Sequence, residues 1–270
     1  MSVPAGSVRS VTASAIDPIS GRPRDGSAGI DHLAKLARLQ SAFAAGIAPA
    51  DPTRPVPGID NWTVRDLVVH LAGIHHWAAA QARAEHTSPL DRDPDDLPGL
   101  YASTAAELTD TLTELGPDRT GSTLLGPGPA SFWHRRQVHE TLIHLGDLYA
   151  AGSGRWSAEV FDGAVDLTPA LWADGIDEVV QVMEPRQVRL GRIQPLARIV
   201  ALHAVDAGAT FQLGAHEDGR IRQDPAAVVS GPARDLLLVL WRRIPLESAG
   251  VGVDGDRSAV EKALATAITP

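Results

Sequence analysis

Three side chains able to ligate a metal stand at spacings that could bring them together: His70, Glu140 and His144. Glu140 and His144 are four residues apart in RRQVHETLIHLGD, which puts them on one helical face about one turn apart. His70 lies in WTVRDLVVHLAG, on the same face as Leu67, Leu71 and Ile74. Two ligands from one helix and a third from a facing helix is a common way to hold an ion inside a bundle. Two imidazoles and a carboxylate suit zinc, and by ligand type also nickel, iron or manganese. They leave a coordination position open for water or substrate, which points to catalysis rather than to a structural metal. The residues alone also allow a plainer arrangement, with His70 a satisfied core histidine and Glu140 and His144 a hydrogen-bonded pair within one helix. The stretch is not the H-E-x-x-H of metalloproteases, because His139 and His144 are five apart.

The neighbours of this trio suggest supporting roles. Asp147 is three residues beyond His144 and shares its face, so it could orient an imidazole, or equally bond a neighbouring helix. Arg136 lies one turn before Glu140 and could meet an anionic substrate; a solvated arginine is the alternative. His75, His76, His134 and His139 fall off the ligand face by periodicity. Further on, Arg242 and Arg243 end the apolar run DLLLVLWRRIP, where basic residues are favourable through the helix dipole alone. Asp206, in HAVDAGA, is first of all a turn former. No G-x-S-x-G, P-loop or G-x-G-x-x-G is present, so a serine hydrolase or a nucleotide-binding protein has no positive support.

The elements that must position these groups follow from periodicity. Leu33, Leu36, Leu39 and Phe43 mark a helix from Ile30 to about Gly46. Thr63, with Asp66 three residues on, starts a second helix that runs to about Ala84. A third spans about Gly99 to Leu115. The loop after it carries a short strand at Ser122–Leu125. A fourth helix runs from about Phe132 to Ala151 and stops at Gly152. Residues 158–184 read as helical in part, over Val160–Val165 and over Leu167–Val182 after a start at Pro169. Beyond Glu184-Pro185 the pattern changes to short strands at Gln187–Leu190, Ile199–His203, Thr210–Leu213 and Ile221–Gln223, with a turn at Asp206–Gly208. A helix over Ala233–Arg243, a strand at Val251–Val253 and a closing helix over Ser258–Ile268 complete the chain. This is an α+β chain in two domains. Residues 1–29 form a polar flexible leader, 30–184 a helical bundle that carries the metal site, and 185–270 a small α+β domain.

Composition narrows the function classes. The 270 residues carry a formal charge of −9 and no long Lys/Arg run, which argues against nucleic acid or an anionic membrane as partner. No stretch reaches the roughly 18 apolar residues of a membrane span, and the leader lacks the apolar core of a secretory signal. A cytoplasmic location is the simplest expectation. Oligomeric state is not legible. There is no cysteine, so thiolate ligands and a cysteine nucleophile are excluded. Any thiol chemistry would need a thiol brought by a ligand.

With these residues in place the chain resembles the mycothiol-dependent maleylpyruvate isomerase family, within the wider DinB-like metalloenzyme group. The resemblance rests on WTVRDLVVHLAG (62–73), WHRRQVHETLIHLGD (133–147), VDLTPALWADGIDEVV (165–180) and LLLVLWRRIP (236–245), in that order, and covers most of residues 30–270. It implies an N-terminal DinB-like four-helix bundle and a C-terminal sterol-carrier-protein-like α+β domain. It implies a divalent metal, usually zinc, on His70, Glu140 and His144, and an arginine of the C-terminal domain that assists catalysis, here Arg243. Arg242 stands where the family often has Gly, in a pattern like LWGR, a departure that bears on the cleft between the domains. The resemblance further implies that the sulfur nucleophile is a low-molecular-weight thiol such as mycothiol. The thiol would add to a conjugated double bond in isomerisation, or displace a leaving group in S-transfer, on a small anionic substrate. A thiol-independent biosynthetic metalloenzyme and a non-catalytic small-molecule-binding protein are the alternatives.

Overall fold

Helix α1 begins where Asp31 accepts a hydrogen bond from the Ala34 backbone and runs over His32–Ile47. The computed structural model describes residues 29–91, 94–161, 166–214 and 224–270, so the leader expected over 1–29 lies almost wholly outside the described residues. Helix α2, Val64–Arg83, opens with the capping box anticipated at Thr63 and Asp66, each side chain bonding the other's backbone N–H. It closes with Ala84 in the left-handed region. Helix α3, Leu97–Leu115, follows an Asp96 cap and a proline in its first turn, where the missing N–H costs nothing. A two-stranded hairpin, β1 (Thr120–Thr123) with β2 (Gly126–Pro129), leads into α4, Ser131–Ser153. This helix runs through the expected stop at Gly152 and ends at Gly154, the glycine that takes the positive φ of the cap.

These four helices pack as a helical N-terminal region: α1 lies on α4, α2 on α3, and α2 on α4. Helix α4 is buried on nearly every side. Such a helix would ordinarily be apolar all round, so its polar side chains need partners inside the protein.

A single 3₁₀ turn at Ala158–Phe161 follows, and residues 162–165, part of an expected helical stretch, lie outside the described residues. Thr168 caps α5, Pro169–Glu178. A π-helical turn over Val179–Met183 joins α5 to α6, Glu184–Arg189. The expected strand at Gln187–Leu190 is therefore corrected. Four alternating residues resemble a strand, but they continue a helix already under way. Pro185 is tolerated because it sits in the first turn of α6, and the wider π turn before it relieves the clash of its ring with the preceding carbonyls.

The C-terminal region is mixed α+β around a four-stranded sheet in the order β4-β3-β5-β6. Strands β3 (Val200–Ala204) and β4 (Ala209–Leu213) form the anticipated hairpin, with Ala204 opposite Ala209 and Gly208 at positive φ in the turn. The sequence reading missed β5, Ala227–Gly231, which pairs parallel to β3 and antiparallel to β6, Gly252–Gly255. The strand it expected at Ile221–Gln223 lies outside the described residues. Helices α7 (Ala233–Leu240) and α8 (Arg257–Ala265) pack on β3 and β5. Asp206, in the hairpin turn, accepts from the first backbone N–H of α7 at 2.8 Å, so the turn former also tethers this helix. Helix α5 packs on α7, and one connected apolar core runs through both halves. Among the described residues no helix is long and apolar enough to cross a membrane.

Candidate metal centre

Helix α4 carries two adjacent polar stripes. One holds Arg136, Glu140, His144 and Asp147, in steps of four, four and three residues; the other holds Arg135 and His139. The first stripe meets His70 of α2. The Nε2 atoms of His144 and His70 lie 3.3 and 3.5 Å from Glu140 Oε1, and all three donor atoms fall within 4.8 Å of one another. Ligand atoms about 2.0–2.1 Å from a tetrahedral zinc stand about 3.3–3.4 Å apart, so these separations suit a shared ion. The imidazole is also set for it. His144 Nδ1 lies 2.9 Å from Asp147 Oδ2 and donates to it, so Nε2, which faces Glu140, is the nitrogen that would ligate an ion on giving up its proton. Trp62, just ahead of α2, lies 4.8 Å from the His70 ring and stacks 6.3 Å from His144. The His70 side chain is one-third exposed while His144 is buried, so the trio opens on the α2 side.

The carboxylates of the stripe are held ionised. Burial works against the charge of Glu140, but the Arg136 guanidinium and the two imidazoles outweigh it and keep the carboxyl well below the usual range. Burial likewise opposes a proton on His144, yet its bonds to Asp147 and Glu140 push its pKa up to about 9. Arg136, which its spacing offered to an anionic substrate, is engaged inside the protein. Its two terminal nitrogens bond Glu140 and Glu178, its side chain is buried, and it lies over the Trp241 ring at 5.8 Å. Its charge is matched inside the protein by Glu140 and Glu178.

Asp147 is fully buried and joins the two halves of the chain. Arg243 grips it with a planar fork, Nε to Oδ1 at 2.7 Å and Nη2 to Oδ2 at 3.0 Å. Trp156 Nε1 donates to the same carboxylate at 3.0 Å. Gly146 admits this arrangement, since a Cβ there would stand 2.2 Å from the Trp156 ring. Arg243 is aimed by the end of α7, where Arg243 N–H reaches Leu238 O and Arg242 N–H reaches Val239 O. This is a Schellman closure with Arg242 at φ 56°.

The second stripe was missed by the sequence reading. His32 of α1 and His139 of α4 converge on Asp174 of α5, all buried, and by composition and proximity this trio could also hold a metal. Its distances are those of hydrogen bonds. Asp174 Oδ2 is 2.7 Å from His139 Nε2 and 2.9 Å from His32 Nε2, so both imidazoles donate from the atom that would otherwise carry the ligand lone pair. Arg135 already compensates the carboxylate, bonding Asp174 Oδ1 at 3.1 Å and Asp177 at 2.9 Å. Burial disfavours the Asp174 charge, but Arg135 and the two imidazoles hold its pKa well below the usual range.

Comparison with known proteins gives this arrangement a family. Residues 33–149 match the mycothiol maleylpyruvate isomerase N-terminal domain, and residues 170–262 the C-terminal domain of the same family. The chain belongs to the mycothiol maleylpyruvate isomerase family. A solved mycothiol-dependent maleylpyruvate isomerase is similar at 20% identity and a TM-score of 0.57, over 83% of this chain and 92% of that one. A structure of a histidine-to-alanine mutant of a mycothiol-dependent maleylpyruvate isomerase is similar at 19% and 0.56, over the same shares. At these identities the likeness speaks to the fold. No curated protein was found to match.

In this mycothiol maleylpyruvate isomerase family member, Arg242 takes a positive φ of 56° at the end of α7. A side chain is strained in that region and glycine is not. The second stripe had only a thin signal in the sequence. Arg135 and His139 are an i, i+4 pair on a helix with no clean apolar face, and their partners lie 39 and 35 residues away.

Proposed function

We propose that this chain is a metal-dependent enzyme that uses a low-molecular-weight thiol, of the mycothiol type, for S-transfer or cis–trans isomerisation of a small anionic electrophile. The observation that carries the reading is the separation of the His70, Glu140 and His144 donor atoms, 3.3 and 3.5 Å about Glu140 Oε1, with the His144 ring fixed by Asp147. His70, Glu140 and His144 would hold the ion, with zinc the first candidate and nickel, iron or manganese compatible with the donors. A divalent ion there would lower the pKa of a thiol or water bound to it.

The chain's own residues do the rest. Asp147 keeps the Nδ1 proton on His144 and so fixes the tautomer that faces the site. Arg136 takes the outer oxygen of Glu140 and leaves the inner one for the ion. Three of the five N–H groups of Arg243 are bonded within the protein. The remaining two are its means of binding a substrate carboxylate, while its fork positions Asp147. Trp62 shields one side of the site, and the part-exposed His70 edge is where a substrate would enter. Since the chain has no cysteine, the sulfur comes from the thiol cosubstrate. In fold terms we assign the four helices to a DinB-like bundle over 30–184 and the mixed region, 185–270, to a sterol-carrier-protein-like domain. The helical run from Pro169 to Arg189 crosses that boundary, and α5 falls in the C-terminal family match.

The test pairs metal analysis of freshly purified protein with turnover of maleylpyruvate, with and without mycothiol. The reading expects close to one divalent ion per chain, its loss in His70→Ala, and turnover that needs the thiol. Unchanged metal content in His70→Ala would overturn the metal site, and equal turnover without thiol would overturn the thiol role.

A further inference from the structure

From α6 to the start of β3 the chain carries four arginines for which the described residues supply no acidic partner. Arg186 and Arg189 lie on α6, Arg192 in the turn that follows and Arg198 just ahead of β3. Among the described residues, Arg189 and Arg192 meet neutral acceptors, the Leu124 carbonyl and Gln187 Oε1. Burial, and then the crowding of Arg192, Arg189 and Arg136, lowers the pKa of half-buried Arg186, as uncompensated like charge must. A chain with a formal charge of −9 has therefore concentrated cations locally, against its overall field.

Two of these arginines border a cavity. Arg192 and Arg198 line an open groove of about 450 Å³ against α8, which adds Lys262. Among the described residues no acid lines the groove. Glu261, the acid beside Lys262 in sequence, is bonded by Arg257 at 2.9 Å. The lining between the cations is apolar, from Ile193, Leu196 and Ala263. The volume lies within the roughly 300–1,000 Å³ of small-molecule sites, where an apolar lining supplies contact area and a few charged groups fix orientation. The groove shares no residue with the trio of His70, Glu140 and His144.

We propose that this groove is a binding site for a small organic anion. Its apolar body rests on Ile193, Leu196 and Ala263, and its acidic group meets Arg192, Arg198 and Lys262. The anion supplies a countercharge that the described residues do not give these three cations.

Fluorescence titration of the full chain with 8-anilinonaphthalene-1-sulfonate, an apolar body bearing a sulfonate, tests the proposal. We expect one saturable site. Its Kd should rise at least tenfold in Arg192→Glu/Lys262→Glu and by a smaller factor in Arg192→Gln/Lys262→Gln, and stay unchanged in His70→Ala. Decanoate should displace the dye, and inorganic phosphate at the same concentration should not. The substituted residues are exposed, and circular dichroism checks that the variants fold. The proposal is overturned if the charge-reversed protein binds the dye as tightly as the wild type, if His70→Ala abolishes binding, or if phosphate displaces the dye as well as decanoate does.

Discussion

Two trios of nearly the same chemistry sit side by side on α4, and they are built for different ends. His70, Glu140 and His144 hold their donors 3.3 and 3.5 Å apart, with Nε2 of His144 turned inward and one ligand part-exposed. His32, His139 and Asp174 close to 2.7 and 2.9 Å, with both imidazoles donating and a guanidinium in contact. The difference lies in what each carboxylate already has. Glu140 offers one oxygen to arginine and keeps the other for the site. Asp174 is saturated by Arg135 and two imidazoles. Ligand type therefore does not define a metal site; the lone pair left over after the protein's own hydrogen bonds does. The second trio ties α1, α4 and α5 together, and so joins the helical region to the first helix of the C-terminal family match.

The largest effect should come from testing occupancy directly. His70→Ala or Glu140→Gln should reduce bound divalent metal from about one per chain to near none, read by plasma mass spectrometry, whereas His139→Gln should leave it unchanged. Loss of metal in His139→Gln alone would reverse the comparison.

Stability should break the other way. Asp174→Ala leaves Arg135 buried without its main countercharge, and such a loss costs about 3–5 kcal/mol. Urea denaturation should show it, and a cost below about 1 kcal/mol would remove the structural role assigned here.

Asp147→Asn sharpens the first trio. It keeps the size of the side chain but weakens the acceptor for His144 Nδ1–H and the fork to Arg243. Metal affinity should fall about 10–100-fold, the usual cost of losing a carboxylate behind a histidine ligand. Competition with a chelator measures it.

His75 gives α4 a third, neutral side for contrast. It is fully buried, lies 3.2 Å from Thr141 Oγ1, and burial pushes its pKa down to about 3 from 6.5. Between those values the unfolded chain binds a proton that the folded chain refuses. Stability should fall as pH drops through this window, by up to about 1.4 kcal/mol per pH unit from this group. His75→Gln should flatten the slope of stability against pH; an unchanged slope would show that the imidazole takes no part.

The smallest effect is expected at the end of α7. Arg242→Gly should stabilise the protein by about 1 kcal/mol, because it relieves a left-handed side chain, with metal content unchanged. A loss of stability would mean that the Arg242 side chain makes up for its strain.

Much of the first trio was legible in the sequence. Glu140 and His144 needed only the helical period, and α2 announced its start with Thr63 and Asp66 and its buried face with Leu67 and Leu71. Local rules suffice when the partners are within one turn of each other. The same rules failed at Gln187–Leu190, where four alternating residues could not be told from the end of a helix. They also failed at β5, whose role depends on pairing with β3 across the whole hairpin.

The sequence by itself determined which residues could ligate, which helices would carry them, that thiolate chemistry from the chain was excluded, and that a helical half precedes a mixed one. Only the tertiary structure decided which charges were spent. Arg136 meets Glu178 across 42 residues, Arg243 meets Asp147 across 96, and His32 meets Asp174 across 142. Those meetings follow from α5 and α7 packing on each other and the chain folding back against α4, a consequence of burying one shared core that no local spacing records. Spacing could nominate His70, Glu140 and His144. Their claim to a metal, and the weaker claim of His139, rested on the hydrogen bonds each had left to make.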